Sequence, residues 1–494
     1  MKICLWNKNG VMVDSFALAF VRVVTMFLSI ICIKILSVEF SLQDYGTYSQ
    51  AILIVTTITS FSILGLTDAT NYYFNQYKAD DRNSYISTIF CIQYVVGSLC
   101  GIGIIVFQDI LESYFGNEQL YSFFLWIALM PLCANLLAML QVLYISIGRI
   151  RVIVIRNLII SILRLCIFVC ACYVTHDVKT IIILTLICDI GQVLYFKMGI
   201  SRSGLKIDIK NVNRKYIKPI LKYSLPMASY VILNALMRDI DKLMIGNMTD
   251  TEQLALYTNA SRVLPFDLLT VSLATVLLPH ITQNIANRKF KVVQKIYGDY
   301  LNLGILTTLI LVSGTIIFAK EAMLFLYDVK YLDALNIFII YLFVDLLRIA
   351  NVSLILSASG NTKRLMYISI CAFTANVILN YLLFLCLGIV GPAIATVMVT
   401  LATNLYLMYV SSMIIHESLF KLLNYKSIIL VIGEIIILGI FFKWINCVLE
   451  VKLVSSSVRL ILCYSSLIVF VFLSNRSVIV AYLKRINSLK SQTL

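Results

Sequence analysis

The sequence predicts an all-α polytopic membrane protein of about fourteen transmembrane helices, built as two six-helix lobes plus two C-terminal helices. Three observations lead there. The 494 residues are 60% hydrophobic and only 13% charged, whereas soluble domains carry about 25% charged residues. Apolar runs of about 18–25 residues recur from end to end, each long enough to cross a hydrocarbon core of about 30 Å. These runs are continuous rather than alternating, so helices and not barrel strands satisfy the backbone in lipid.

The spans of the first lobe (1–200) fall near residues 14–37, 46–68, 86–107, 120–147, 153–174 and 179–200. A cytoplasmic linker occupies 201–218, and the second lobe (219–414) has spans near 219–246, 256–283, 296–318, 333–357, 364–386 and 389–414. The remainder, 415–494, holds two extra helices near 427–446 and 457–474 and a cytoplasmic tail.

Loop charge supports this division. The net charge is +15, from 40 Lys plus Arg against 25 Asp plus Glu. One set of loops is basic, holding Arg149 and Arg151, Lys210, Arg214 and Lys215, then Arg288 to Lys295, Lys363 and Arg364, Lys421, and Lys484 and Arg485. The alternate set carries Glu39 and Asp44, then Asp109, Glu112 and Glu118, then Asp250 and Glu252, with a few lysines such as Lys179 and Lys320. By the positive-inside rule the basic loops and both termini are cytoplasmic, so the number of spans is even. The same rule accounts for the basic balance without nucleic acid.

Several chemistries are excluded. The thirteen cysteines lie mostly inside apolar runs, and only three widely separated histidines are present, which argues against a metal site. The first apolar run is too long for a removable signal peptide. The longest hydrophilic stretch, 201–218, is short and lacks the acidic clusters that hold a divalent ion, which weighs against a glycosyltransferase or polymerase with an external catalytic region.

The chain repeats itself. Gln43 to Ala51, QDYGTYSQA, aligns with Glu252 to Ala260, EQLALYTNA, at an offset of 209 residues, and the turn at Gly148 aligns with that at Gly360 at an offset of 212. Six spans per repeat is an even number, so the lobes share one orientation, as in parallel-repeat transporters.

The stretches LQDYGTYSQA, KYSLPMASYVILNALMRDIDKLMIG and LSASGNTKRLMYISICAFTANVILNYLLFLCLGIVGPAIAT together resemble the polysaccharide flippases. These are the O-unit or Wzx-type members of the multidrug/oligosaccharidyl-lipid/polysaccharide exporter superfamily. Gly360, Asn380, Gly388, Gly391 and Ala393 fall at characteristic places of that family, and Pro392 departs from its usual small residue. The resemblance implies a V-shaped, MATE-like bundle in the bacterial inner membrane. It implies a non-enzymatic transporter that moves undecaprenyl-diphosphate-linked oligosaccharide repeat units, of O-antigen or capsule type, outward by alternating access. Coupling to H+ or Na+, no other cofactor, and contact with membrane lipid, polysaccharide polymerase and chain-length proteins go with that reading. A multidrug exporter of the same superfamily is the alternative.

Charges within spans are costly, about 2.5–3.5 kcal/mol each at the centre on insertion scales, and so mark candidate sites. Arg22 shares a helical face with Ser15, Thr25 and Ser29. In the stretch opening the second lobe, Asp239 can pair with Lys242 and Arg238 with Asp241. Arg22, Arg238, Arg262 and Arg348 are the candidate cavity cations for substrate phosphates, because a guanidinium stays charged and binds phosphate bidentately. Arg164 and Asp189 are read as one buried ion pair, and Asp345 and Asp189 as candidate coupling carboxylates. Pro226, Pro265 and Pro279 are candidate bends.

Overall fold

A computed structural model describes residues 8–76, 79–147, 149–201, 205, 207–348, 352–451 and 454–491, and among these every regular element is helical. The chain packs as two compact units, Met1–Ala255 and Leu256–Leu494. The first contains α1 (Lys8–Glu39), α2 (Leu42–Ser62), α3 (Leu66–Gln76), α4 (Ala79–Val106), α5 (Gln108–Phe115), α6 (Phe124–Ile127), α7 (Met130–Ser146), α8 (Ile150–Cys170), α9 (Val178–Ser201) and α10 (Ile217–Met248), and α11 (Thr251–Ala260) ends across the division. The second contains α12 (Leu268–Ala286), α13 (Phe290–Ile317), α14 (Ala319–Leu326), α15 (Leu335–Leu347), α16 (Leu354–Ala358) and α17 (Thr362–Leu387). It continues with α18 (Gly391–Ile414), α19 (Leu419–Leu422), α20 (Tyr425–Val451), α21 (Ser456–Ser474) and α22 (Arg476–Ser491). Among the described residues, eight helical stretches are long and apolar enough to cross a membrane. Each of the fourteen expected spans falls mostly on helix.

The helix pattern itself repeats. The 28 residues of α4 recur as the 28 of α13, starting at 79 and 290, and the eight residues of α5 recur as the eight of α14, starting at 108 and 319. Both pairs lie 211 positions apart. The 24 residues of α9 recur as the 24 of α18, starting at 178 and 391. Repeat and packing divide the chain differently at one point: α10 opens the second repeat in sequence but packs on α2, α3, α4 and α5 of the first unit.

In the first unit, Leu66, Tyr73, Tyr85, Leu143, Phe196 and Ile220 form one apolar cluster and Leu53, Ile104, Phe115, Phe124, Ile127 and Leu186 another. Tyr85 stacks on Tyr73 at 4.3 Å and lies 4.1 Å from the ring of Tyr216, whose hydroxyl donates to Asp81. In the second unit α13 is the central post, packed against α12, α15, α20, α21 and α22. The last two apolar helices seat closely on it: a Cβ at Gly439 would lie 2.6 Å from Ile317 and one at Gly314 3.0 Å from Tyr464. Small residues at such contacts let helices approach where no hydrophobic force drives them together. Asn446 donates to Glu321 at 2.8 Å beside them. Large apolar side chains such as Ile429, Ile437, Ile440 and Trp444 stand outward on α20, as a lipid-facing surface requires.

Several spans read as continuous are broken, 333–357 between Leu347 and Leu354 among them. The 46–68 span divides at Ile63–Gly65, where Leu64 and Gly65 take φ of 48° and 64°. The 256–283 span divides between Ala260 and Leu268 around Pro265, which supplies no N–H and clashes with the preceding turn. Pro226 and Pro279, by contrast, lie inside continuous helices. Irregular backbone at membrane depth requires partners from the surrounding protein. In the first break these are Asn135, whose Nδ2 donates to Ser62 O at 3.4 Å, and Gln93, whose Nε2 donates to Ile63 O at 3.3 Å.

Candidate functional site

The break around Pro265 leads to the first site. It frees the Leu264 N–H, which donates to Asp345 Oδ2 at 3.0 Å. Asp345 is 3% exposed, and its Oδ1 has no hydrogen-bond partner among the described residues. Arg348 and Asp267 are near enough to act on it electrostatically, and the buried Ser261 Oγ, in the same broken segment, also lacks a hydrogen-bond partner. The arrangement is a buried carboxylate with one oxygen committed to backbone and the other open to a proton or a small cation. Arg348 makes no ion pair with Asp345 among the described residues. The i,i+3 geometry fails because α15 ends at Leu347 and Arg348 leaves the helix at ψ 32°.

A second cluster joins α8 and α9 in the first unit. Asp189 accepts from Gln192 Nε2 at 2.9 Å, and Gln192 Oε1 accepts from Arg156 Nε at 2.7 Å. Arg156 also donates to Asn157 at 3.0 Å and lies 5.6 Å over the Phe196 ring. Arg164 forms no ion pair with Asp189 among the described residues, although it acts on that carboxylate electrostatically, and more strongly than Arg156 does. The cation that reaches Asp189 through a relay is therefore Arg156.

The third group is on α10. Lys242 Nζ lies 3.1 Å from Asp239 Oδ1, so that pair neutralises itself. Asp241 is 2% exposed and accepts from the Lys242 N–H at 2.8 Å. Arg238 is exposed and makes no hydrogen bond or ion pair among the described residues. Arg262 has the same character in the second unit: exposed, beyond the end of α11, and without an ion pair among the described residues. It lies outside any helix rather than one or two turns into a span, because the chain breaks after Ala260. The side chain of Arg22 lies outside the described residues.

The repeated motif has a structural office that sequence spacing did not reveal. Within the first unit, Asn117 Nδ2 donates to Thr47 Oγ1 at 2.9 Å and to Gln50 Oε1 at 2.6 Å, and Gln50 Nε2 donates to Thr251 Oγ1 at 3.3 Å. Gly46 allows this knot to close, since a Cβ there would stand 2.2 Å from Thr251 O. The glycines of LGIVGPA act in the same way: Gly388 has φ 59° and ψ −143°, a conformation reserved for glycine. A Cβ at Gly391 would lie 2.2 Å from Leu383 O. Among the described residues no cluster of His, Cys, Asp and Glu could hold a metal ion.

Comparison with known proteins adds to this geometry. Residues 35–336 match the family model described as polysaccharide biosynthesis protein. No curated protein matches the chain. Among solved structures, the lipid II flippase MurJ in an inward closed conformation aligns with a TM-score of 0.73 at 16% identity, over 95% of this chain and 100% of that one. An inward-facing multidrug resistance MATE family transporter of the MOP superfamily aligns at 0.63 and 13% identity, over 81% and 98%. A MOP superfamily transporter from Pyrococcus furiosus, noted for the reverse polarity of its binding pocket, aligns at 0.57 and 14% identity, over 82% and 94%. At these identities the likeness establishes the fold, and all three are transporters.

Proposed function

The chain belongs to the polysaccharide biosynthesis protein family and has the fold of the MOP superfamily transporters, and from this we propose that it is a flippase for polyprenyl-diphosphate-linked oligosaccharide. In this reading it works in the bacterial inner membrane, with fourteen spans and both termini cytoplasmic, and carries O-antigen or capsule repeat units from the cytoplasmic to the outer leaflet. The observation that carries the reading is the pair of exposed arginines, Arg238 and Arg262, which form no ion pair with a carboxylate among the described residues.

A diphosphate entering a low-dielectric space needs fixed cations to replace its water. A guanidinium supplies two parallel hydrogen bonds to phosphate and keeps its charge when desolvated. We assign Arg22, Arg238, Arg262 and Arg348 to that task. Polyprenyl stays in the lipid, so only the polar end has to be carried.

Asp345 is assigned as the coupling group. Binding of H+ or Na+ to its open oxygen would favour one of two access states, and an ion gradient would then set direction. Asp189 serves structure in this account, because Gln192 and Arg156 already engage it. The likeness to a multidrug MATE transporter keeps an exporter in view, but the exposed charged candidates, Arg238 and Arg262, are cations and suit an anionic substrate better than a cationic drug. Deleting the gene tests the choice. Lipid-linked repeat units confined to the cytoplasmic leaflet are the expected outcome. Normal surface polysaccharide together with altered drug tolerance would refute it.

A further inference from the structure

The start of α13, the connector 415–424 and α22 enclose a polar pocket of about 520 Å³ in the second unit. Its charged lining consists of Lys291, Lys295, Lys421 and Arg485 against Asp299 and Glu417. The two signs are layered. The Arg485 side chain is 45% exposed and that of Asp299, 3.6 Å away, only 8%. Lys421 and Glu417, 3.5 Å apart, are 76% and 25% exposed. Lys291 and Lys295 are exposed and form no ion pair among the described residues. Cations stand at the mouth, carboxylates in the floor, and four positive charges face two negative ones.

The floor is held rigid. Asn302 Nδ2 donates to Leu422 O at 2.8 Å and to Gly298 O at 2.7 Å, and its Oδ1 accepts from the Asn424 N–H at 2.7 Å. Asn424 Nδ2 donates to the Tyr482 hydroxyl at 3.1 Å, and the Arg485 guanidinium sits 4.7 Å over the Tyr482 ring. The C-terminal helix is thereby fixed with its arginine at the pocket mouth. From Lys291 to Asn302 the helix rises about 16 Å, so the pocket follows the first turns of α13, a helix long and apolar enough to cross a membrane. The lining is polar apart from Gly298, Leu422 and Leu423, so it suits a charged head whose apolar body stays outside the pocket, in lipid.

We propose that this pocket binds the phosphate-bearing headgroup of an anionic lipid of the cytoplasmic leaflet. The side of the membrane rests on the orientation given under the proposed function. The binding itself does not, because basic pockets between spans recognise such headgroups by charge alone. It is a lipid site apart from Arg238, Arg262 and Asp345, and it ties the C-terminal helix to the lipid composition around it.

The test uses full-length purified protein in detergent, with lipid binding read by native mass spectrometry and by the shift in unfolding temperature. The probes are cardiolipin, phosphatidylglycerol, phosphatidylethanolamine and inorganic diphosphate. Cardiolipin and phosphatidylglycerol should bind and stabilise, and phosphatidylethanolamine should not. The double variant Lys291→Gln/Lys295→Gln should bind the anionic lipids ~30-fold more weakly, as each lysine near an anionic surface is worth about fivefold. Lys210→Gln/Lys215→Gln, which removes equal charge from the first unit, should change nothing. Lys421→Gln, at the most exposed of the four cations, gives an independent reading should the double variant fold poorly. Equal binding by the lysine variants and wild type would overturn the proposal, as would inorganic diphosphate binding as tightly as lipid, which would make the site one for a soluble phosphate. None of these readouts involves transport, so failure here is separable from failure of the flippase reading.

Discussion

Substituting Asp345 separates structure from coupling, because its two oxygens have different tasks. Oδ2 satisfies the Leu264 N–H that the Pro265 break frees, and Oδ1 is open. Asp345→Ala strands that N–H in a buried place, which costs about 1–3 kcal/mol. Asp345→Asn retains an acceptor and gives up only the added strength of a charged one, about 1 kcal/mol. The fold already accommodates an amide at the corresponding point of the first repeat, where Asn135 lies 210 positions earlier, fully buried, and serves the break at Ser62. Unfolding temperature and yield of detergent-purified protein measure the structural part. Restoration of surface polysaccharide in a deletion strain measures the functional part. The alanine variant should lose stability and transport together, whereas the asparagine variant should keep most stability and lose transport. Wild-type polysaccharide from Asp345→Asn would refute the assignment of this carboxylate to coupling.

Arg238→Ala and Arg262→Ala should each lower surface polysaccharide while leaving stability within about 0.5 kcal/mol, since both side chains are exposed and neither forms an ion pair among the described residues. Undiminished polysaccharide from both would remove them from the substrate site. Gly46→Ala should destabilise by about 1–3 kcal/mol or more, because its Cβ would meet Thr251 O at 2.2 Å, and the melting temperature checks it. Arg156→Ala should reduce folded yield more than Arg164→Ala, as Arg156 makes the hydrogen bonds to Gln192 and Asn157 and Arg164 makes none among the described residues. Size-exclusion profiles of the two variants decide that ranking.

The fold class was legible because it rests on length and continuous hydropathy, which the bilayer imposes directly, whereas the breaks at Ile63–Gly65 and around Pro265 interrupt runs that hydropathy reads as continuous. The pairing of charges was less legible. Arg164 and Asp189 fall at matching depth, but depth does not fix which face of a helix looks at its neighbour, and Gln192 and Arg156 hold the facing positions. Asp345 and Arg348 have pairing distance only while α15 continues, and it stops at Leu347. Asp239 and Lys242 did pair as their spacing suggested, because α10 is regular there. The packing of α10 with the first unit has no local signature, since it depends on which neighbours are offered to it in space.

The two repeats solve the same local problems with different chemistry, and the differences point to function. Both begin their second helix with a cap: Ser41 Oγ accepts from the Asp44 N–H at 3.0 Å, and 209 residues on Asp250 Oδ1 accepts from the Gln253 N–H at 2.7 Å. Both tie that helix to the segment after the short helix α5 or α14. In the first repeat the tie is Asn117 to Gln50, and in the second the Tyr327 hydroxyl donates to Asn259 O at 2.9 Å. These contacts keep the recurring motif for architecture, and the two ties involve no charged side chain. At the membrane-depth breaks the substitution is of another kind. An amide at Asn135 can satisfy a backbone group but cannot take up a proton, while a carboxylate at Asp345 does the first and is able to do the second. The two residues are not interchangeable, since Asn135 donates to the Ser62 carbonyl and Asp345 accepts from the Leu264 N–H. An amide oxygen would accept that N–H as well, however, so the ionisable group at Asp345 is more than its local hydrogen bond requires.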